Sequence, residues 1–416
     1  MSSDAKAPSI FRHRDFTLFL GGMTIMSAAA MIESVTIGWQ VYQIGRQTMS
    51  EGESAFLVGL VGLVQFVPMF VLTLFAGSLA DRISRRKIVI VAIAVEALGV
   101  VGLTITAMQD QPSLTVIFVI AAVFGAARAF FRPAAWAMMP MLVPKEEIPK
   151  AISLSSLLSE LAVILGPATG GLLIALSTAT AYGVTAGLYI AAFIALSLIA
   201  TATTPERQPG NQIQLIREGL VYVWTNKIIF GAISLDLFAV LLGGATALLP
   251  AFASDVLDVG PAGFGLLRSS PAIGAALMAA ALTRWPLKRH AGTRMFWAVA
   301  AFGLATIVFG LSRNLWLSVL ALAVLGAADM ISVYVRQTLM QIVTPDHMRG
   351  RVSSVSGLFI SGSNELGEFE SGLVSRFVGP VMAAVVGGIG TLVVTGAWAV
   401  MFPDLRRADR LDGQDG

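Results

Sequence analysis

The chain has 416 residues, 56% of them hydrophobic and only 13% charged, with a mean hydropathy of +0.79, a net charge of +3 and a pI near 9.3. So little charge excludes a soluble protein of this size and leaves a polytopic membrane protein; basic residues that merely flank apolar runs exclude a nucleic-acid-binding domain. The absence of cysteine removes disulfides, thiolate metal sites and cysteine nucleophiles.

In chain order, the first fourteen residues are short and polar, and the apolar run behind them is too long for a cleaved signal peptide. About twelve apolar stretches of spanning length follow, near 16–44, 55–80, 88–108, 113–142, 151–176 and 181–202, then 228–254, 262–283, 295–311, 315–342, 352–375 and 381–402. In lipid the backbone must satisfy its own hydrogen bonds, and these runs are too long and continuous for barrel strands, so the expected fold is an all-α integral membrane protein. Basic residues crowd the termini and alternate loops, Lys6, Arg12, Arg14, Lys145, Lys150, Arg349 and Arg351 among them. The opposite loops carry only Arg46, Arg313 and Arg376. Both termini are expected on the cytoplasmic side of a cell membrane.

Between the second and third runs lies Gly77-Ser-Leu-Ala-Asp-Arg-Ile-Ser-Arg-Arg-Lys87, a very short, densely charged turn. Gly77 permits close helix approach, Asp81 can accept hydrogen bonds at a neighbouring helix end, and Arg82, Arg85, Arg86 and Lys87 anchor the turn in the cytoplasm. Its order resembles the loop between helices 2 and 3 of the major facilitator superfamily, with Ser84 where the family usually has glycine. The resemblance implies a twelve-helix transporter in two six-helix pseudo-repeated bundles, with this turn gating the cytoplasmic side.

The fifth run carries Gly166-Pro167-Ala-Thr-Gly170-Gly171. Proline removes a helix hydrogen bond and the glycines allow bending or close packing. The stretch resembles part of the antiporter motif of exporters in that superfamily, with Ala162 replacing the motif's preceding glycine.

A polar gap at 203–227 divides the chain. Pro205 and Pro209 break helix, then Ile213, Ile216, Leu220, Val223 and Trp224 recur at helical spacing. The expectation is an N-terminal bundle over 1–204, a linker with an amphipathic helix on the membrane face over 205–227, and a C-terminal bundle over 228–416. The halves are related: Phe124-Gly-Ala-Ala-Arg128 aligns with Leu325-Gly-Ala-Ala-Asp329, and the same register of 201 pairs Pro144 with Pro345 and Gly166 with Gly367. Arg284, Lys288 and Arg289 look like a decayed copy of the charged turn. Parallel repeats of this kind imply a site near the midplane.

Ionisable residues inside the runs carry the site reading. Each costs roughly 2.5–3.5 kcal/mol on insertion scales, so each should face a partner or an aqueous cavity. They are Glu33, Glu96, Arg128, Arg132, Glu160, Asp236, Arg268, Asp329, Arg336, Glu365, Glu368 and Glu370. For any one of them a structural ion pair is as good a reading as a binding or coupling role. Arg128 and Asp329, at equivalent repeat positions, are the foremost structural candidates, and Glu96 is another. Glu33, Glu365 and Glu368 are the proton-coupling candidates, because burial and an adjacent arginine act on a carboxyl in opposite directions. Arg132, Arg268 and Arg336 could grip a carboxylate or catecholate with paired donors.

No ATP-binding signature, metal cluster or activated nucleophile is visible in the sequence, so neither a cofactor nor an enzymatic reaction is expected. Gly38-Trp-Gln-Val-Tyr42, Phe130-Phe-Arg-Pro-Ala134 and Pro345-Asp-His-Met-Arg-Gly-Arg351 resemble the superfamily's branch of enterobactin and macrolide exporters. Ala121, four residues before Gly125, stands in place of the arginine usual on helix 4. The resemblance implies a monomer in the lipid bilayer that exports a bulky amphiphile, such as a siderophore, by antiport with protons. Multidrug or macrolide efflux, import, and a non-transporting receptor remain as alternatives.

Overall fold

The apolar runs fold as helices in the computed structural model, which describes residues 10–80, 83–201, 212–287 and 289–408. In order these are α1 (Arg14–Arg46), α2 (Glu51–Ala80), α3 (Arg85–Ala107), α4 (Leu114–Met138), α5 (Ile148–Leu176) and α6 (Thr178–Ser197). They continue with α7 (Gln212–Thr225), α8 (Lys227–Gly243), α9 (Gly260–Arg284), α10 (Ala291–Leu311), α11 (Leu315–Val343), α12 (Asp346–Met401) and the short α13 (Pro403–Arg407). Among the described residues there is no strand, and eleven helices are long and apolar enough to cross a membrane. The last of these, α12, crosses twice. Gly379, at φ 81° and ψ 162°, turns the chain back just before Pro380, a conformation that a side chain at this position would strain. Among the described residues this gives twelve apolar spans, the number the resemblance leads one to expect. Outward-facing side chains are apolar even where they are most exposed, as at Leu98, Trp297 and Val400, the pattern of a surface solvated by lipid.

Side chains cap helix starts as sequence logic asks. The Asn226 side chain accepts from the backbone N–H of Ile228 and Ile229 at the start of α8, and Asn314 does the same for α11. The expected span over 228–254 is interrupted. Helix α8 stops at Gly243, Gly244 is extended, and the chain proceeds through short 3₁₀ and α turns to a π turn at Phe252–Val256. Two adjacent glycines weaken the helix there, and the Ser371 hydroxyl donates to the Gly244 carbonyl that the helix no longer serves.

The chain divides into two compact units. The first comprises Met1–Ser34, Val67–Gly166 and Leu176–Pro209; the second comprises Val35–Phe66, Pro167–Ala175 and Gly210–Gly416. The division cuts through α1, α2 and α5. Within the first unit α3 packs on α4 and α6. Within the second, α10 packs on α11 and α12, the arrangement the repeat register leads one to expect. Helix α7 is docked as well as amphipathic. Val223 is buried with Ile229, Met348 and Val352, the Tyr222 hydroxyl donates to the Val343 carbonyl at 3.2 Å, and Arg351 pairs with Glu218 at 2.9 Å. Leu220 and Trp224 stay exposed on its other side.

In the second unit the ends of α1, α2 and α5 remote from the basic loops pack with the π turn after α8, with α9 and with α12, and glycines set the spacing. A Cβ on Gly171 would lie 2.5 Å from the Pro261 carbonyl oxygen and 2.8 Å from the Cα of Gly265; one on Gly59 would lie 2.6 Å from the carbonyl oxygen of Glu368. The backbones therefore touch directly, as small-residue packing in membranes requires.

Candidate functional site

In the first unit, four helices bring four polar side chains together in the interior. Glu33 of α1 is fully buried, Glu96 of α3 nearly so, and Arg128 of α4 and Tyr189 of α6 complete the group. The Arg128 Nη2 donates to Glu33 Oε1 at 2.7 Å, and its Nε donates to Glu96 Oε1 at 3.2 Å. The Tyr189 hydroxyl lies 2.7 Å from Glu33 Oε2 and 2.9 Å from Glu96 Oε2. One guanidinium thus serves two carboxyls, and one hydroxyl hydrogen faces two carboxyl oxygens. The arrangement is one hydrogen short, and an added proton on either acid would complete it. The Arg128 side chain keeps 26% exposure while Glu33 has none, so the cluster is approached from the arginine side.

The second unit holds a tighter counterpart. Asp236 of α8 and Arg336 of α11 meet at 2.8 Å, and both are almost fully buried. Asp329, two turns before Arg336, lines the same small cavity as Asp236 and Ser332. Arg268 of α9 meets Glu368 of α12 at a looser 3.6 Å, with both side chains about a quarter exposed. Glu365 and Glu368 both approach Gly62 of α2, whose missing side chain makes the room they occupy. Glu370 is within 3.5 Å of the Ser371 hydroxyl.

Sequence reasoning missed a third group, also in the second unit. Asp255, on the π turn after α8, accepts from the Tyr42 hydroxyl at 2.5 Å and from Arg46 at 3.1 Å, both at the end of α1. Gln43 adds a 3.3 Å bond to Ser254. The one available signal was Arg46, a rare basic residue in the charge-poor loops, which needs an acid nearby. For Tyr189 no sequence signal existed, since a tyrosine in an apolar helix reads as packing.

The charged turn is described in part. Asp81 and Arg82 lie outside the described residues, and for Gly77 only the helical backbone is described. Arg85 donates to the Ala137 carbonyl at 2.7 Å and Arg86 to the Ser197 carbonyl, so the start of α3 is tied to the ends of α4 and α6. Lys87 is exposed. Of its proposed copy, Lys288 lies outside the described residues, and Arg284 sits over the Trp285 ring at 6.0 Å. In the antiporter-like stretch, Gly166 packs against Met31 in the first unit, while Pro167, Gly170 and Gly171 belong to the second; Gly170 is buried and Gly171 meets Gly265. Arg132 is exposed on α4, one turn before Trp136.

Residues 5–414 match the family described as transmembrane secretion effector. Enterobactin exporters of Shigella boydii serotype 4 and Escherichia coli O81 are each 27% identical over 383 residues, 91% of this chain and 91% of theirs. Among solved structures, the fold resembles the nucleoside transporter NupG (D323A mutant), with TM-score 0.72 and 13% identity over 93% of this chain and 100% of that one. It also resembles a D-xylose-proton symporter, with TM-score 0.70 and 14% identity over 98% and 100% of the two chains. At such identities the structural likeness speaks for the fold.

Proposed function

The chain belongs to the transmembrane secretion effector family of the major facilitator superfamily, and from that premise we propose that it is a proton-driven exporter of a bulky, amphiphilic, siderophore-like compound. It lies in the bacterial inner membrane with both termini cytoplasmic, and it works as a monomer by alternating access. Its bundles are 1–204 and 228–416, joined by the linker 205–227. The direction of transport follows the enterobactin exporters to which it is similar over nearly its whole length.

The observation that carries proton coupling is the Glu33–Arg128–Glu96–Tyr189 cluster, a closed polar group one hydrogen short. A proton taken up there releases Arg128 from one of its two acids, which loosens α1 and α3 from α4. Loss of the proton restores the clamp. Glu365 and Glu368, beside Arg268, form the second candidate station. Asp81 and the basic turn act as the cytoplasmic gate, braced through Arg85 and Arg86.

Purified protein in vesicles with an imposed pH gradient tests this reading. Glu33→Gln should abolish uphill export while leaving substrate exchange. Gradient formation by Glu33→Gln and by the Glu365→Gln and Glu368→Gln variants alike would refute the assignment. Asp81→Asn should slow turnover with insertion intact.

For the substrate, Arg132 is exposed within the membrane span and Arg268 is partly open, so both can meet an anion. Arg336 is sealed against Asp236 and is left out of this role. Arg132→Ala should weaken binding of an anionic catecholate about tenfold, the loss of about 1.4 kcal/mol of a charge-assisted bond. Unchanged anion affinity would remove the siderophore-like substrate and favour efflux of uncharged drugs.

A further inference from the structure

The first unit contains a pocket that the proton cluster does not use. It has a volume of about 240 Å³ and is lined by α1, α4 with the turn that follows it, and α5. Its walls divide by chemistry. Phe19 and Met23 of α1, with Trp136 and Met139, form an apolar, polarisable side. Ser156, Ser159 and Glu160 of α5 form the polar side. The other two hydroxyls in the lining are already engaged: Thr24 donates to the Leu20 carbonyl at 2.8 Å, and Ser155 lies 3.5 Å from the Met139 sulfur. Among the described residues, nothing hydrogen-bonds or ion-pairs with the side chains of Ser156, Ser159 or Glu160.

Glu160 lies about 18 Å along α5 from Ile148, near the middle of a hydrocarbon layer about 30 Å thick. It is exposed. A bare carboxylate at that depth is too costly against lipid, so this face of α5 lines water. A carboxylate is an acceptor only, and it repels anions. An indole face beside it attracts cations. The pocket is smaller than the roughly 300–1,000 Å³ of a complete drug site, so it holds one part of a larger molecule.

We propose that this pocket is a subsite for a protonated amine carried on an aromatic or aliphatic body. The ammonium is held by Glu160 and the Ser156 and Ser159 hydroxyls, and the body lies against Trp136, Phe19 and the two methionines. Arg132 stands one turn beyond Trp136 and outside the lining. The anion grip assigned to it and the amine subsite therefore stand or fall separately.

Full-length protein in lipid nanodiscs, titrated with dansylcadaverine and with its uncharged N-acetyl form, tests the proposal. Energy transfer from tryptophan to the dansyl group reads binding, and Trp136→Phe identifies the donor. Wild type should bind the free amine about tenfold more tightly than the acetylated dye, equivalent to about 1.4 kcal/mol. Glu160→Gln should erase that preference and leave the acetylated dye's affinity unchanged, while Glu160→Asp keeps part of it. Equal binding of the two dyes by wild type, or an intact preference in Glu160→Gln, overturns the proposal. Loss of the folded state in Glu160→Gln does so too, because it would mean that Glu160 has a structural partner. The titration uses no anionic ligand and no pH gradient, so failure of this subsite leaves the anion reading and proton coupling untouched.

Discussion

The two buried charge groups have the same inventory and different construction. Each contains two acids and one arginine. Glu33 and Arg128 come from α1 and α4, which the internal repeat relates to α8 and α11 of the second unit, and Glu96 comes from α3. In the second unit Arg336 and Asp236 are sealed at 2.8 Å with 2% and 6% side-chain exposure. In the first, Arg128 is shared between Glu33 and Glu96, retains a quarter of its exposure, and has a tyrosine hydroxyl bridging both acids. The sealed Arg336–Asp236 pair leaves a proton no place between its partners, and Asp329 stands beside it in the same cavity. A shared arginine with a bridging hydroxyl has such a place. On the proposed function, the comparison separates a rivet from a working part, although both read alike as intramembrane charges.

Four substitutions break or sharpen that contrast: three are read in transport, from the largest effect to the smallest, and one in folding. Glu33→Gln should cut uphill export by more than about a hundredfold, to leak level, while counterflow continues; that corresponds to about 2.7 kcal/mol in the coupled step. Asp236→Asn should instead act on folding. It strands the buried Arg336 and costs roughly 3–5 kcal/mol, read as a lower melting temperature in detergent, with transport per folded molecule nearly unchanged. Joint replacement of Asp236 and Arg336 by leucine should recover most of that loss, and a transport defect in the well-folded double variant would count against the rivet. Tyr189→Phe removes the bridging hydroxyl and should slow proton-driven export about tenfold or more, given about 1.5–3 kcal/mol for a hydrogen bond to a charged group. It should also displace the pH profile of transport, which a packing defect would not do. Asp255→Asn weakens the Tyr42–Arg46 tie at a partly exposed site, where an ion pair contributes about 0–1 kcal/mol, so the rate should change by no more than about fivefold. Labelling of a cysteine introduced beside Gln43 would read that opening directly, without background thiols.

The architecture was legible because lipid imposes a simple rule on sequence. Twelve long apolar runs, the register between Arg128 and Asp329 and the Gly77–Lys87 turn all survive as linear patterns. The break at Gly243–Gly244 was not legible, since a run of apolar residues looks the same whether its helix continues or stops. Glu33, Arg128 and Asp236 announced themselves by the cost of their charge. Their partnerships did not, because Tyr189 is 156 positions from Glu33 in the chain and Asp255 is 213 from Tyr42. Pairings at such separations are decided by helix rotation and tilt, which periodicity leaves open. The same limit left the Arg336–Asp236 pairing unread in the sequence.

The corner at Gly379 has a mechanical meaning. The two arms of α12 meet through one residue, with no loop to absorb slack. The first arm carries Glu365 and Glu368 against α2 and α9, and the second packs on α10 through Gly388, whose missing Cβ leaves room for the Gly303 carbonyl. The pair behaves as a crank with a stiff elbow. On the proposed function, a twist applied at the carboxylates passes to the second arm through that one residue, whose torsions limit how far the arms can turn independently. Lengthening that elbow with two flexible residues would introduce backlash, and the stroke delivered at Glu368 would be spent in the joint.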